Sequence, residues 1–155
     1  AQVQHQRRVM VSISNYRDLS LYHSVSGRIL LSFIDRDRLS SIAASEGFPG
    51  GEWDRINSMK ALLRATAAIR SEGFSVMENA DDEISAYAMP VFDSDGKICA
   101  AIGLSIPIFR LDRNNRRKIL EALRCNAVLM SEAVAANGFK QDDFIFLKNA
   151  DNKRK

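Results

Sequence analysis

The stretch Ser24-Val25-Ser26-Gly27 sets two hydroxyls and a glycine just before the apolar run Arg28-Ile29-Leu30-Leu31-Ser32-Phe33. Serines at that place cap a helix, and a helix start carries free N–H groups and a partial positive charge. With Ser24 and Ser26 beside it, such a terminus can hold a carboxylate, and Gly27 lets a ligand approach the backbone. The plain alternative is that the serines do nothing beyond capping. A second candidate is the run Ile98 to Pro107, where Ala101, Gly103 and Ser105 share one face of a strand and Ile102, Leu104 and Ile106 the other. Small side chains over a sheet leave room for a ligand; close packing of a helix against Gly103 would explain them equally well.

Other clusters point to little chemistry. Asp81, Asp82 and Glu83 read as a solvated loop, because no nearby histidine completes a metal set. His5, His23, Cys99 and Cys125 lack zinc-ligand spacing. Gly103-Leu104-Ser105-Ile106-Pro107 begins like a nucleophile elbow but lacks its second glycine and sits inside a strand. No metal, cofactor or catalytic residue is expected.

The elements that must position these residues follow from periodicity. Val9, Val11 and Ile13 alternate as in a half-buried strand, and Leu19 to Tyr22 reads as a second short one. Asp35 is placed to cap a helix from Arg36 to Ser45 that stops at Gly47, and Phe48 to Glu52 is a loop. Ile56, Met59, Leu62, Leu63, Thr66 and Ile69 have helical spacing, with Asn57 as the cap and Gly73 after the last turn. Phe74 to Met77 reads as a strand. Tyr87 to Pro107 reads as a hairpin around Ser94-Asp95-Gly96, its second arm apolar enough to be buried on both faces. Asp112 caps a long helix to about Asn137, with Ile119, Leu123, Ala127, Met130 and Val134 on its inner stripe. Phe144 to Leu147 is a late strand or a docking segment. The class is α+β, an antiparallel sheet flanked by helices.

At 155 residues and 46% apolar content, the chain has material for one core. Its formal charge of +3 comes from Lys148, Asp151, Lys153, Arg154 and Lys155, so residues 1–147 are neutral and direct nucleic-acid binding is not expected. No apolar run has the length of a membrane span, and AQVQHQRR is not a signal peptide, so a cytoplasmic chain is expected, with Cys99 and Cys125 as reduced core thiols. Arg113, Arg116, Arg117 and Lys118 open the long helix with positive charge, against its dipole. They suit a solvated face or pairing with acidic residues of a second subunit, for which the 81–83 loop is a candidate.

Three segments carry a resemblance. Tyr22 to Leu31 (YHSVSGRILL) is similar to His-Ala-x-x-x-Gly-[Lys/Arg]-x-x-Leu-[Leu/Ala]; Ile69 to Phe74 (IRSEGF) to Ile/Val-Arg-x-x-Gly-Tyr/Phe; and Ala88 to Gly96 (AMPVFDSDG) to Ala-Ala-Pro-Val-Phe-Asp-x-x-Gly. In this order and at these separations they resemble the effector-binding domain of the IclR family of bacterial transcriptional regulators, over roughly Val9 to Ala136.

The resemblance implies a GAF-like domain that binds a small organic acid and passes that state to a winged helix-turn-helix domain, which is absent from this chain. Residues 1–155 would then be a single effector-binding domain with 139–155 as a C-terminal extension. The family's pocket positions fall on Val11, Val25, Ser26, Ala86, Gly103 and Ser105, with Gly27 beside them and an acidic position near Met77 or Glu78. Ala86 and Gly103 stand where the family often has polar or thiol groups, so a bulkier, more apolar ligand such as an aromatic acid is expected. A homo-oligomer, dimer or tetramer, would reach DNA only through the absent domain. The competing readings are a GAF-like module serving another output and a small enzyme with a serine or cysteine nucleophile.

Overall fold

The computed structural model describes residues 20–79 and 83–143. Four helices and three strands follow in order: α1 Val25–Phe33, α2 Arg36–Glu46, α3 Met59–Glu72, β1 Ser75–Asn79, β2 Ile84–Phe92, β3 Ile98–Pro107 and α4 Arg113–Ala136. Each helix begins on a capping oxygen that takes one of the free N–H groups of the first turn. Ser24 accepts from Gly27, Asp35 from Arg38, Ser58 from Ala61 and Asp112 from Asn115. The α3 cap is therefore Ser58 and not Asn57. Ile56 lies outside the helix, where it bridges Gly50 across the preceding loop.

The sheet is antiparallel in the order β1-β2-β3. β2 has a neighbour on each side and is buried along most of its length, whereas β3 is buried at Ile98 and Cys99 and exposed at Gly103 and Ser105. The strand covered on both faces is thus β2. Apolar composition alone did not distinguish the central strand from its neighbour, because Ala, Ile and Leu serve both.

Helices cover both faces. Ala86 and Ala88 of β2 face α1 and join the core of Val25, Ile29 and Leu31. Tyr87 and Met89, one residue out of phase, face α4 and pack with Leu123 and Ala127. On α4 the inner stripe continues to Ser131, which accepts from the Phe92 amide at 3.0 Å, and Met130 is turned outward at 42% exposure. Cys125 is likewise exposed, so Cys99 is the core thiol of the two.

Two further differences from the expected pattern concern Ser20 to His23 and the hairpin turn. Ser20 to His23 form a turn, closed by the His23 amide on the Ser20 carbonyl at 3.0 Å, in place of the second short strand. The hairpin turn has Gly96 at φ +72°, as its position demands, but the carboxylate that organises it is Asp93, which accepts from Asp95 and Lys97 at 2.9 Å each. The Val9 to Ile13 strand, Asp81, Asp82 and the Phe144 to Leu147 segment lie outside the described residues. Among the described residues no helix is long and apolar enough to cross a membrane.

Candidate functional site

The register of the sheet fixes which side chains can share a site. Met77, Ala86 and Ser105 are directly opposite one another across the three strands, and Ser75, Ala88 and Gly103 form the next row on the same face. This is the face on which α1 lies. Glu78 belongs to the row of Ser85 and Ile106, on the other face, where it pairs with Arg116 of α4. The structure therefore places Met77, and not Glu78, beside Ala86 and Ser105. One residue of register moves a side chain through the sheet.

The start of α1 meets this face at Gly103. A Cβ built on Gly103 would stand 3.1 Å from the Ser26 hydroxyl and 2.9 Å from the Tyr87 carbonyl, so absence of a side chain is what lets Ser26 reach the strand. Ser24 Oγ takes the Gly27 amide at 3.0 Å and the Ser24 carbonyl takes the Arg28 amide at 2.9 Å. Among the described residues nothing accepts from the Val25 and Ser26 amides. These two N–H groups and the Ser26 hydroxyl all belong to the first turn of α1, at the positive end of its dipole. Ser105 lies two residues further along β3, about 7 Å on, and is exposed.

Not every expected residue belongs to this spot. Val25 is buried at 7% exposure in the core. Gly27 is buried too, and a Cβ on it would collide with the Leu21 carbonyl oxygen at 2.1 Å, so its lack of a side chain lets the preceding turn cross the helix. Val11 lies outside the described residues. Arg28, within the family-like segment, is a buried tie. Its Nε donates to the Tyr22 carbonyl at 2.9 Å, its Nη2 donates to the Glu52 carbonyl, and its guanidinium lies 5.0 Å over the Trp53 ring. Burial pushes its pKa down, with Asp54 and Glu52 opposing. Tyr22 beside it donates to the Gly47 carbonyl at 3.0 Å, and burial, with Glu46 and Glu52, pushes its pKa up to about 12.

A separate concavity of about 510 Å³ lies between the end of α3 and the middle of α4, floored by Met89, Pro90 and Phe92 and rimmed by Arg70, Arg124, Glu72 and Glu132. Its mixed rim gives no preference for an anion. Sequence reasoning missed this groove, since its walls come from three elements distant in the chain. No group of three or more His, Cys, Asp or Glu among the described residues could hold a metal ion. Cys99 donates to the Val91 carbonyl at 3.3 Å, and burial followed by the Asp93 charge raises its pKa, which is the reverse of an activated thiol.

Residues 1–132 match the family profile of the bacterial transcriptional regulator IclR C-terminal domain. The chain belongs to this family. The IclR-type chain is 27% identical over 108 residues to the HTH-type transcriptional regulator KdgR of Escherichia coli strain K12, covering 69% of this chain and 41% of that protein. The crystal structure of the C-terminal domain of E. coli KdgR superposes with a TM-score of 0.62 at 26% identity, covering 72% of this chain and 69% of that one. A double mutant of the PobR inducer-binding domain from Acinetobacter, in complex with 3-hydroxybenzoic acid, shares the fold at a TM-score of 0.60 and 20% identity, over 73% of this chain and 66% of that one. The chain spans about two-fifths of the length of the curated relatives it matches. These relatives are transcriptional regulators and not enzymes, so the nucleophile reading is set aside.

Proposed function

We propose that this IclR-type domain is the effector-binding part of a transcriptional regulator and that it binds an aromatic or similarly bulky organic acid between the start of α1 and the small face of β3. The observation that carries this is the seating of Ser26 over Gly103, beside the amides of Val25 and Ser26. A carboxylate suits a first helical turn that offers a hydroxyl and two unbonded N–H groups at the positive end of its dipole. The body of the ligand would lie over the Met77, Ala86 and Ser105 row, reaching it from the partly open Met77 and exposed Ser105 ends, since Ala86 between them is packed in the core. Two of those three side chains are apolar, which favours a ring over a short keto acid. The 3-hydroxybenzoic acid held by the PobR domain is a ligand of that chemical kind.

Binding would act through linkage. A ligand preferring one arrangement of a homo-oligomer shifts its population, and a winged-helix domain elsewhere in the protein changes its DNA affinity by the same coupling energy. A thermal-shift panel of 3-hydroxybenzoate, benzoate, pyruvate and a sugar acid tests the ligand class. An aromatic acid at a hundred times its Kd adds about 2.7 kcal/mol of stability. Stabilisation by pyruvate alone, or by no acid, refutes the reading.

A further inference from the structure

The groove between the end of α3 and the middle of α4 stands apart from the Ser26 site. Ser26 is in the first turn of α1, and Phe33, which borders the groove, is its last residue, about 10 Å further along the helix. At about 510 Å³ the groove has the size of a small-molecule pocket. Its apolar lining is left open. Val128 on the α4 wall is 51% exposed, and Pro90 and Phe92 on the floor are only partly covered. Phe33 and Phe92 meet edge to face, with ring centroids 5.3 Å apart and planes at 72°. A third ring laid on Pro90 would extend that arrangement, which aromatic quadrupoles favour over a face-to-face stack.

Three charges on the rim are unpaired. Arg70 is committed, its Nη1 donating to the Ser32 carbonyl at 2.6 Å. Glu72, Arg124 and Glu132 make no ion pair with a described residue. Two of these share one end of the groove. Phe74 packs in the cluster of Leu123, which brings Glu72, two residues before Phe74, and Arg124, next to Leu123, to the same end on opposite walls. They form no ion pair with each other, so a ligand between them can meet both.

The α3 wall adds a preference of its own. Gly73 ends the helix at φ +76°, and its amide takes the Ile69 carbonyl. The carbonyls of Arg70, Ser71 and Glu72 accept from no described residue. A helix end of this kind carries partial negative charge and favours a cation. Positive charge is therefore favoured on the α3 wall, negative charge beside Arg124, and an aromatic body on the floor between them.

We propose that this groove is a second ligand site and that it takes an aromatic amino acid as its zwitterion. The ammonium lies against Glu72 and the last carbonyls of α3, the carboxylate against the Arg124 guanidinium, and the ring rests on Pro90 and Phe92 beside Val128. A plain aromatic acid lacks the group that the α3 wall selects, so the amine is what distinguishes a ligand of this groove from a ligand of the Ser26 site.

Isothermal titration of L-phenylalanine into the whole chain, at up to about 10 mM ligand, tests the assignment. The expected result is saturable binding that weakens about three- to tenfold in Arg124→Gln and in Glu72→Gln, both at exposed positions. 3-Phenylpropionate, which lacks the amine, and phenethylamine, which lacks the carboxylate, each bind roughly tenfold more weakly than L-phenylalanine. Ser26→Ala binds L-phenylalanine as the wild type does, which separates this groove from the Ser26 site whatever that site holds. No binding of L-phenylalanine at the highest concentration, equal affinity for either analogue, unchanged affinity in either rim variant, or a loss in Ser26→Ala overturns the assignment.

Discussion

The hydroxyl of Ser26 lies 3.1 Å from the point where a Cβ on Gly103 would stand, so the first turn of α1 and the middle of β3 are in contact only because that residue is glycine. Gly103→Ala would also place its methyl 2.9 Å from the Tyr87 carbonyl, which belongs to the neighbouring strand and cannot rotate away. The variant is expected to lose about 1–3 kcal/mol as β3 shifts. Urea unfolding with an unchanged m-value measures it, and a loss below about 0.5 kcal/mol would mean that the contact is looser than described.

Gly27 is under a harder constraint. Its Cβ would sit 2.1 Å from the Leu21 carbonyl oxygen, well inside van der Waals contact. Gly27→Ala should cost about 3 kcal/mol or more, against a gain of roughly 1 kcal/mol from helix propensity. Thermal unfolding distinguishes the two; a raised Tm would show that the Leu21 turn yields freely.

Asp93 joins the hairpin turn to the residues after α4. Its Oδ1 accepts from the Asp95 and Lys97 amides, and its Oδ2 from the Gln141 amide at 3.0 Å. Burial alone would raise its pKa, but the amides of Lys97, Gln141 and Asp95 and the charge of Lys140 outweigh it and hold the carboxyl below the usual range. A folded pKa below the unfolded one gives stability that is present at neutral pH and disappears as pH falls through the folded value. Asp93→Asn is expected to cost about 1–3 kcal/mol at pH 7. The gap from wild type should close as pH is lowered below about 4, in denaturant titrations at stepped pH. A gap independent of pH would assign the loss to shape and not to charge.

Ser131→Ala removes the acceptor of the Phe92 amide and leaves a donor without a partner near the end of β2. A loss of about 1–2 kcal/mol is expected, with faster hydrogen exchange at that amide. Unchanged exchange would show that another group accepts from Phe92.

Much of this was legible in the chain, for reasons that can be named. Caps at Ser24, Asp35 and Asp112 depend on local chemistry, and each is found where its side chain predicts. Small residues at Ala101, Gly103 and Ser105 allowed either room for a ligand or a close helix, and it is α1 that packs on that face. What was not legible depends on register and on layers. Glu78 and Met77 are neighbours in sequence, and only the pairing with β2 shows that Met77 shares a face with Ala86. Gly27 was read as a ligand approach because nothing in sequence announces that Leu21 crosses above it. Met130 and Ser131 exchanged places on the inner stripe of α4, since a helical period tolerates either until the strand beneath supplies a free amide.

The proposed site has the acid bound where Ser26 meets Gly103. Isothermal titration of 3-hydroxybenzoate into the wild type and into Ser26→Ala tests it most directly, with Ser71→Ala, on the separate groove beside α3, as the control. Loss of a hydroxyl hydrogen bond to a carboxylate costs about 1.5–3 kcal/mol, so the Ser26→Ala Kd should rise by roughly 10- to 150-fold while Ser71→Ala is unchanged. Equal affinity in wild type and Ser26→Ala, or a loss confined to Ser71→Ala, would place the acid away from Ser26.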